Sequence, residues 1–226
     1  MSVWLCIPSA RPDGGTLREW HEKGYSIAVW RDPGSPSLPF LIGVPHYLIV
    51  MPYPGYAKAV NWLVNEAMVC DPYCEWFVTG GDDTSPDMAH SPEEIAAKCT
   101  EHFNGTFGVC QPTGDRWRDA QGVIIERIAG SPWFGRDYCR RMYGGKGPLW
   151  EGWWHNWEDE EAKCVAEKLG VYWMNPEWIH YHNHPLRVPG GKRPDFHRGV
   201  DSDYTRMKPV FIERKRIGFP GHEPIA

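Results

Sequence analysis

Apolar and polar positions along this chain switch between short unbroken runs and helical spacing, and the switches mark its elements. Val3-Trp4-Leu5-Cys6-Ile7-Pro8 is a short apolar run, which predicts a buried strand. After the loop Ser9 to Gly15, Thr16 and Glu19 carry the spacing of a capping box and predict a helix to about Lys23, stopped by Gly24. Ser26 to Trp30 is a second strand, running into the turn Arg31-Asp32-Pro33-Gly34. Strand, helix and strand within about 30 residues make a βαβ unit, so the two strands should be parallel. His46 to Val50 predicts a third strand. Val60, Leu63, Val64, Ala67 and Met68 then fall at helical spacing, so a helix over 57–69 should pack one face on the sheet. Lys58 and Asn61 lie near its start, within reach of a ligand at the strand ends, although an exposed polar face is the simpler account of them.

Farther on, Ser91-Pro92-Glu93-Glu94 has a cap, a first-turn proline and an acid at the third position, predicting a helix to about Phe103. Thr106 to Gln111 and Gly122 to Arg127 predict two strands. Gly130 to Arg136 reads as the start of another helix, ending near Tyr143-Gly144-Gly145. Glu158-Asp159-Glu160-Glu161 opens a helix through Leu169, closed by Gly170, where acids suit the positive end of the helix dipole. Val171 to Met174 is a last clear strand. In Ile179-His180-Tyr181-His182-Asn183-His184, alternation puts three histidines on one face if the segment is extended, and such histidines can supply a metal ligand.

The densest chemistry lies at Trp76-Phe77-Val78-Thr79-Gly80-Gly81-Asp82-Asp83-Thr84-Ser85-Pro86-Asp87. A buried strand ends near Thr79, two glycines let the chain turn, and adjacent carboxylates follow. Ligands of open α/β sheets sit outside the carboxyl ends of the strands. Paired acids there suit a hard cation and, through it, a phosphorylated substrate; the same residues also suit a plain turn. Neither G-x-G-x-x-G nor a P-loop motif occurs, which argues against a dinucleotide fold and a P-loop.

Composition changes this picture in three ways. The chain of 226 residues allows one α/β domain, and 13 Trp with 10 Tyr exceed the needs of such a core, so some should line a ligand surface. The seven cysteines are scattered and odd in number, several within apolar stretches, which favours reduced core thiols in a cytoplasmic protein. No apolar run approaches the roughly 20 residues of a membrane span, and the start lacks a secretory pattern. Charge is uneven. Residues 185–226 hold nine Lys or Arg against five Asp or Glu, a net of +4, whereas the whole chain carries −5. The division expected is therefore a catalytic domain over 1–184 and a basic, Pro- and Gly-rich extension over 185–226 that packs on it, either solvated or in contact with a polyanion.

Together these pieces resemble the GT-A glycosyltransferases, in which an α/β half ends in an acidic metal motif. The resemblance spans roughly residues 3–184. It rests on the loop Pro8-Ser9-Ala10-Arg11, on Trp30-Arg31-Asp32, on Gly55 to Asn61, on Gly81-Asp82-Asp83, on Glu158-Asp159 and on His182-Asn183-His184. The chain also looks like phage and prophage proteins that share Gly80-Gly81-Asp82-Asp83-Thr84, Gln111-Pro112-Thr113-Gly114-Asp115-Arg116-Trp117 and Gly130-Ser131-Pro132-Trp133. The family pattern implies that Pro8, Ser9, Arg11 and Asp32 hold base and ribose, with Asp82 on ribose or sugar. It implies that Asp83 binds Mn²⁺ or Mg²⁺ and that His182 or His184 completes the coordination. It further implies a UDP-sugar donor, and Asp159, or else Glu158, as the base of an inverting reaction. The usual Asp-x-Asp reads Gly-Asp-Asp here, which leaves open which carboxylate takes the metal.

For the acceptor, the phage likeness and basic extension suggest a 5-hydroxymethylpyrimidine in DNA, with Arg136, Arg140, Arg141 and Lys146 as further polyanion contacts. The Trp150 to Trp157 cluster would be the acceptor platform. Carbohydrate and protein acceptors are the alternatives. A sugar-nucleotide pyrophosphorylase would want a Lys-bearing first loop, and Gly14-Gly15 has no nearby Lys. A non-catalytic carbohydrate-binding module would explain the tryptophans but not the paired acids.

Overall fold

In the computed structural model, residues 2–41, 46–112, 117–118, 124–125, 130–182 and 200–226 are described. A seven-stranded sheet organises them. Its strands are β1 (Val3–Pro8), β2 (Ser26–Arg31), β3 (His46–Val50), β4 (Trp76–Val78), β6 (Val109–Pro112), β9 (Trp133–Gly135) and β10 (Tyr172–Asn175), in the order β10-β6-β9-β4-β1-β2-β3. β1 pairs in parallel with β2 and β4, β2 with β3, and β10 with β6. β9 alone is antiparallel to its neighbours β4 and β6. Two short ribbons lie outside this sheet: β5 (Thr84–Ser85) with β11 (Tyr181–His182), and β7 (Trp117–Arg118) with β8 (Ile124–Ile125).

Strand period two divides the apolar side chains between two cores. On one face, Val3, Leu5 and Ile7 of β1 meet Ile27, Val29, Trp76 and Val78, and helices α1 (Leu17–Glu22) and α3 (Pro92–Phe103) cover them. On the other, Trp4, Cys6, Ala28 and Phe77 pack under α2 (Tyr56–Cys70), α4 (Arg136–Arg141) and α5 (Glu158–Lys168). Buried residues of α2 recur as Val60, Leu63, Val64 and Ala67, the stripe its spacing predicts. α3 opens with the full capping box of Ser91 and Glu94.

Two sequence expectations are corrected, and a third is seen in part. Thr16 does not cap α1, because its hydroxyl donates instead to the Thr84 carbonyl at 2.7 Å. Residues 133–135 form a strand rather than the first turn of a helix. Their amides and carbonyls find partners in β4 and β6, whereas helix bonds would leave the sheet split at its centre. The expected strand over 122–127 is seen only as Ile124–Ile125, in a separate ribbon; the rest lies outside the described residues.

The carboxyl-terminal residues contribute to the second core. Helix α6 (Val200–Arg216) places Asp203, Phe211 and Arg214 inward, and Phe219 follows into the same cluster. Arg214 donates to Glu161 of α5 from Nε at 2.8 Å and Nη2 at 2.6 Å. Tyr143 and Trp153 also donate to that carboxylate, each at 3.0 Å. Glu161 thus satisfies its charge through four donors from three segments. Among the described residues, no helix is long and apolar enough to cross a membrane, and the seven cysteines are free.

Candidate active site

Strands β1, β2 and β4 end at one edge of the sheet, and their loops converge there. Ser9 leaves β1 with its amide on the Trp30 carbonyl of β2, at 2.9 Å. Beyond β4, the Gly80-Gly81 turn brings Asp82 and Asp83 back under the first loop. Asp82 accepts from the Ser9 hydroxyl at 2.8 Å and from Arg11 Nε at 3.0 Å. The Asp82 carbonyl takes the Thr16 amide at 3.0 Å. Gly15 makes this approach possible: at φ +58, a Cβ there would lie 2.0 Å from the Asp82 carbonyl oxygen.

Asp83 is 6% exposed, and its Oδ1 lies 3.3 Å from Nε2 of His182. The pairing of His182 with Thr84 in the β5–β11 ribbon produces this contact. Arg11 Nη2 lies 3.8 Å from the other Asp83 oxygen. A second guanidinium, Arg31, is buried at the end of β2 and donates to the Arg11 carbonyl at 2.9 Å, while its Nε has no hydrogen-bond partner among the described residues.

The chain segment that carries His182 is anchored by Asp87. That carboxylate accepts the amides of Ile179, Ala89 and His90 at 2.7, 2.7 and 2.8 Å, and the His90 ring nitrogen lies at 3.1 Å. Burial alone would raise its pKa, but these donors outweigh burial and hold it below the ordinary value. His180 is fully buried beside Ser131 (2.8 Å) and Trp133 (3.4 Å), and so belongs to the core. His184, offered with His182 as a metal ligand, lies outside the described residues.

α5 points its acidic first turn toward the same edge. The residue before it, Trp157, adopts φ +78, held by stacking on Tyr204 at 4.5 Å and by its ring N–H on the Tyr204 carbonyl at 3.0 Å. Glu158 is buried and its Oε2 lacks a hydrogen-bond partner among the described residues. Burial pushes its pKa well above the usual carboxylate range, and the charges of Asp159 and Asp203 add to the rise. Asp159 is more open and accepts the Glu160 amide at 2.8 Å. Tyr53 and Tyr56 face Glu158: burial first, then that carboxylate, raises both phenols. Tyr56 donates to the Gly80 carbonyl at 3.0 Å, and thereby links the acid to the Asp82-Asp83 turn.

The other predicted residues fall in different places. Pro8 is the last residue of β1, and exposed Asp32 accepts the Tyr53 amide at 3.0 Å at the same edge. Asn61 is buried with its amide spent on Leu149, donating at 2.8 Å and accepting at 3.1 Å, so it braces the loop before the tryptophan cluster. Lys58 is exposed on the outer side of α2, in a cleft shared with Trp62 and Lys146. Of the tryptophan cluster, Trp153 and Trp157 are core residues, and only Trp154 is largely open. Arg136 turns inward to the carbonyls of Met68, Asp71 and Cys74. It sits at the amino end of β4, where its amide meets Glu75, across the sheet from Asp83. Arg31 and Tyr56 lie in segments that carry the resemblance but were given no role of their own, and Tyr53 was not singled out by sequence.

As a cation site, the Asp83–His182 pair offers one carboxylate oxygen and one imidazole nitrogen side by side. Among the described residues no third His, Cys, Asp or Glu joins them. That donor set fits Mn²⁺ or Mg²⁺ bound partly through substrate phosphates, the usual arrangement for such ions. Arg11 and Arg31 add positive charge beside this pair.

No family model and no curated protein matches the chain. Among solved structures, TarS 1-349 from S. aureus aligns at a TM-score of 0.53 and 9% identity, over 87% of this chain and 68% of that one. The catalytic domain of Drosophila beta1,4-galactosyltransferase 7, solved with xylobiose, aligns at 0.48 and 12%, over 88% and 78%. A glycosyltransferase involved in glycosylation of the major capsid of PBCV-1 aligns at 0.38 and 13%, over 78% and 82%. The likeness to TarS is one of fold. The mostly parallel sheet, flanked by helices and carrying a small antiparallel part, is GT-A-like.

Proposed function

We propose that this protein is a metal-dependent glycosyltransferase that moves a sugar from a nucleotide-diphosphate sugar, of the UDP-glucose type, to an acceptor hydroxyl. The observation that carries the proposal is the Asp83–His182 pair, set by the β5–β11 ribbon at the sheet edge where the β1 and β2 loops supply Arg11 and Arg31. The donor's base and ribose would lie against Pro8, Ser9 and Asp32. Asp82 fixes Arg11 and Ser9 in place, so its role toward the donor runs through them. Held by Asp83 and His182, Mn²⁺ or Mg²⁺ would neutralise charge on the departing diphosphate.

The chain's own groups divide the remaining work. Glu158 fits the base better than Asp159, reversing the order that the resemblance implies. Its burial raises its proton affinity toward that of a useful general base, and one oxygen has no hydrogen-bond partner among the described residues. In its ionised form it would remove the acceptor hydroxyl proton as the acceptor oxygen bonds to the anomeric carbon and the bond to the diphosphate breaks. A single displacement of this kind inverts the anomeric centre. Tyr53, Tyr56 and exposed Trp154 would line the acceptor side.

The resemblance to phage proteins favours a 5-hydroxymethylpyrimidine in DNA as acceptor. The inward-turned Arg136, and Arg141 with its Nε on the Ile225 carbonyl at 2.8 Å, favour a saccharide instead, because neither presents a free cation beside Glu158. The test is transfer from radiolabelled UDP-glucose with Mn²⁺ to hydroxymethylated DNA, unmodified DNA and simple glycans. Metal-dependent transfer or donor hydrolysis that vanishes in Glu158→Gln supports the assignment. Neither activity across several nucleotide sugars, or pyrophosphate release from UTP and a sugar 1-phosphate, refutes it.

A further inference from the structure

The cleft that holds Lys58, Trp62 and Lys146, of about 580 Å³, opens beside α2, and the machinery above makes no use of it. Its floor is aromatic and apolar. Trp30, buried at the end of β2, meets Trp62 of α2 edge-on at 5.7 Å, and Trp62 remains 48% exposed. Met51, 47% exposed, extends this floor beyond β3. Its rim is charged but balanced. Lys58 and Lys146 stand against Glu66 and Glu151, with Lys146 Nζ 3.5 Å from Glu151 Oε2.

That combination selects among ligand chemistries. A phosphate or a nucleic-acid strand would gain two ammonium groups and meet two carboxylates, for no net attraction. A purely apolar ligand would strip water from four charged groups without replacing their hydrogen bonds. A neutral saccharide suits both parts: its C–H face covers an exposed indole, and its hydroxyls both donate to carboxylates and accept from ammonium groups. The cleft volume lies within the roughly 300–1,000 Å³ of small-ligand sites.

Position connects this cleft to the acceptor side. Glu151 of the rim lies in the segment 150–157 that ends at Trp157, directly before Glu158. Between them, the Trp154 carbonyl takes the Tyr56 amide at 2.5 Å, and Gly55 at φ +99 leaves no room for a Cβ beside the Trp154 ring. Cleft and acid are thus fixed to the same short segment.

We propose that this cleft is a subsite for neutral sugar units of an oligosaccharide acceptor whose terminal hydroxyl reaches Glu158. The link to Glu158 rests on the transferase assignment, whereas saccharide binding in the cleft does not. The test is therefore made first without donor. Cellotriose, maltotriose and chitotriose are titrated into the whole protein by calorimetry, with tryptophan fluorescence in parallel. At least one should bind. Trp62→Ala should weaken that binding on the order of tenfold, as loss of one stacking surface does, and Trp62→Phe should restore most of it. Met51→Arg, a surface change that adds charge and bulk to the cleft, should weaken it as well. Donor hydrolysis should be the same in wild type and Trp62→Ala.

No binding by any of the three trisaccharides overturns the subsite. So does equal binding by wild type, Trp62→Ala and Met51→Arg, and so does displacement of bound trisaccharide by hydroxymethylated duplex DNA. Trisaccharide binding that follows Trp62, in a protein with neither sugar transfer nor donor hydrolysis, would keep the subsite and remove the transferase.

Discussion

Replacing Arg214 by Met should cost more stability than any other single change in the carboxyl-terminal helix. The guanidinium is 10% exposed, its partner Glu161 is 1% exposed, and two short hydrogen bonds join them. Methionine fills similar space but leaves a carboxylate buried with only Tyr143 and Trp153 as donors. Stranding one member of a buried pair costs about 3–5 kcal/mol. The cation also lies 3.6 Å from the Trp150 ring centroid, a contact worth about 1 kcal/mol more. At about 2–4 °C per kcal/mol for a chain of this size, the melting temperature should fall by about 8–24 °C. Urea unfolding followed by tryptophan fluorescence measures the loss directly. Adding Glu161→Leu should recover part of it, because the stranded charge is gone, but not all, since Tyr143 and Trp153 then lack an acceptor. A loss below about 1 kcal/mol for Arg214→Met would show that α6 is not docked through Glu161, and the support for Trp157 and Glu158 would need another source.

Three further outcomes follow from the site. Glu158→Gln should abolish transfer yet raise the melting temperature at pH 8. A carboxyl whose folded pKa is raised loses stability as pH climbs past its unfolded value near 4.3, so the neutral amide removes that penalty, and equal melting curves at pH 5 and pH 8 in both proteins would contradict it. For the same reason, wild-type turnover should rise with pH through the raised Glu158 pKa, and a flat profile from pH 5 to 8 would exclude this acid as the base. Asp87→Asn should loosen the segment carrying His182 and flatten the acid side of the stability profile. Asp87 has a lowered folded pKa, so its contribution is present above about pH 4 and lost as pH falls through the folded value, which melting scans from pH 2 to 6 would resolve. Gly15→Ala should cost about 1–3 kcal/mol through its left-handed backbone and should weaken donor binding, because the new methyl displaces the Asp82 carbonyl. Unchanged donor affinity in a folded Gly15→Ala protein would separate the first loop from the donor site.

The parts of this fold that local chemistry dictates could be read from sequence. Val3–Pro8, Ser26–Arg31 and His46–Val50 are apolar or β-branched runs bounded by turn residues, and each is a strand. The Ser91 capping box and the stripe of α2 formed as their spacing requires. Residues 133–135 were misread because their strand state depends on β4 and β6, more than 20 residues distant in each case, while Gly130 and Pro132 locally imitate a helix start. Thr16 carried a capping pattern, but the Thr84 carbonyl lay closer to its hydroxyl in the folded chain. Composition misled at the tryptophans. Their number suggested a ligand surface, yet Trp153 and Trp157 are consumed by Glu161, Tyr204 and Phe211. At the site, Asp82, Asp83, Ser9, Arg11 and His182 were legible and the fold brings them together. Lys58 and Asn61 were placed by nearness in sequence to the strand ends, and helix phase sends one outward and the other into the packing against Leu149.

The central claim is that Asp83 and His182 create cation-dependent donor binding at the end of β4. Calorimetric titration of UDP-glucose, with and without Mn²⁺, into wild type, Asp83→Ala and Glu158→Gln tests it directly. Wild type and Glu158→Gln should bind the donor more tightly with Mn²⁺, and Asp83→Ala should lose that gain, more than about tenfold in affinity. Equal Mn²⁺-dependent affinity in Asp83→Ala, with only its melting temperature lowered, would show that the Gly-Gly-Asp-Asp segment is a structural turn and contradict the account.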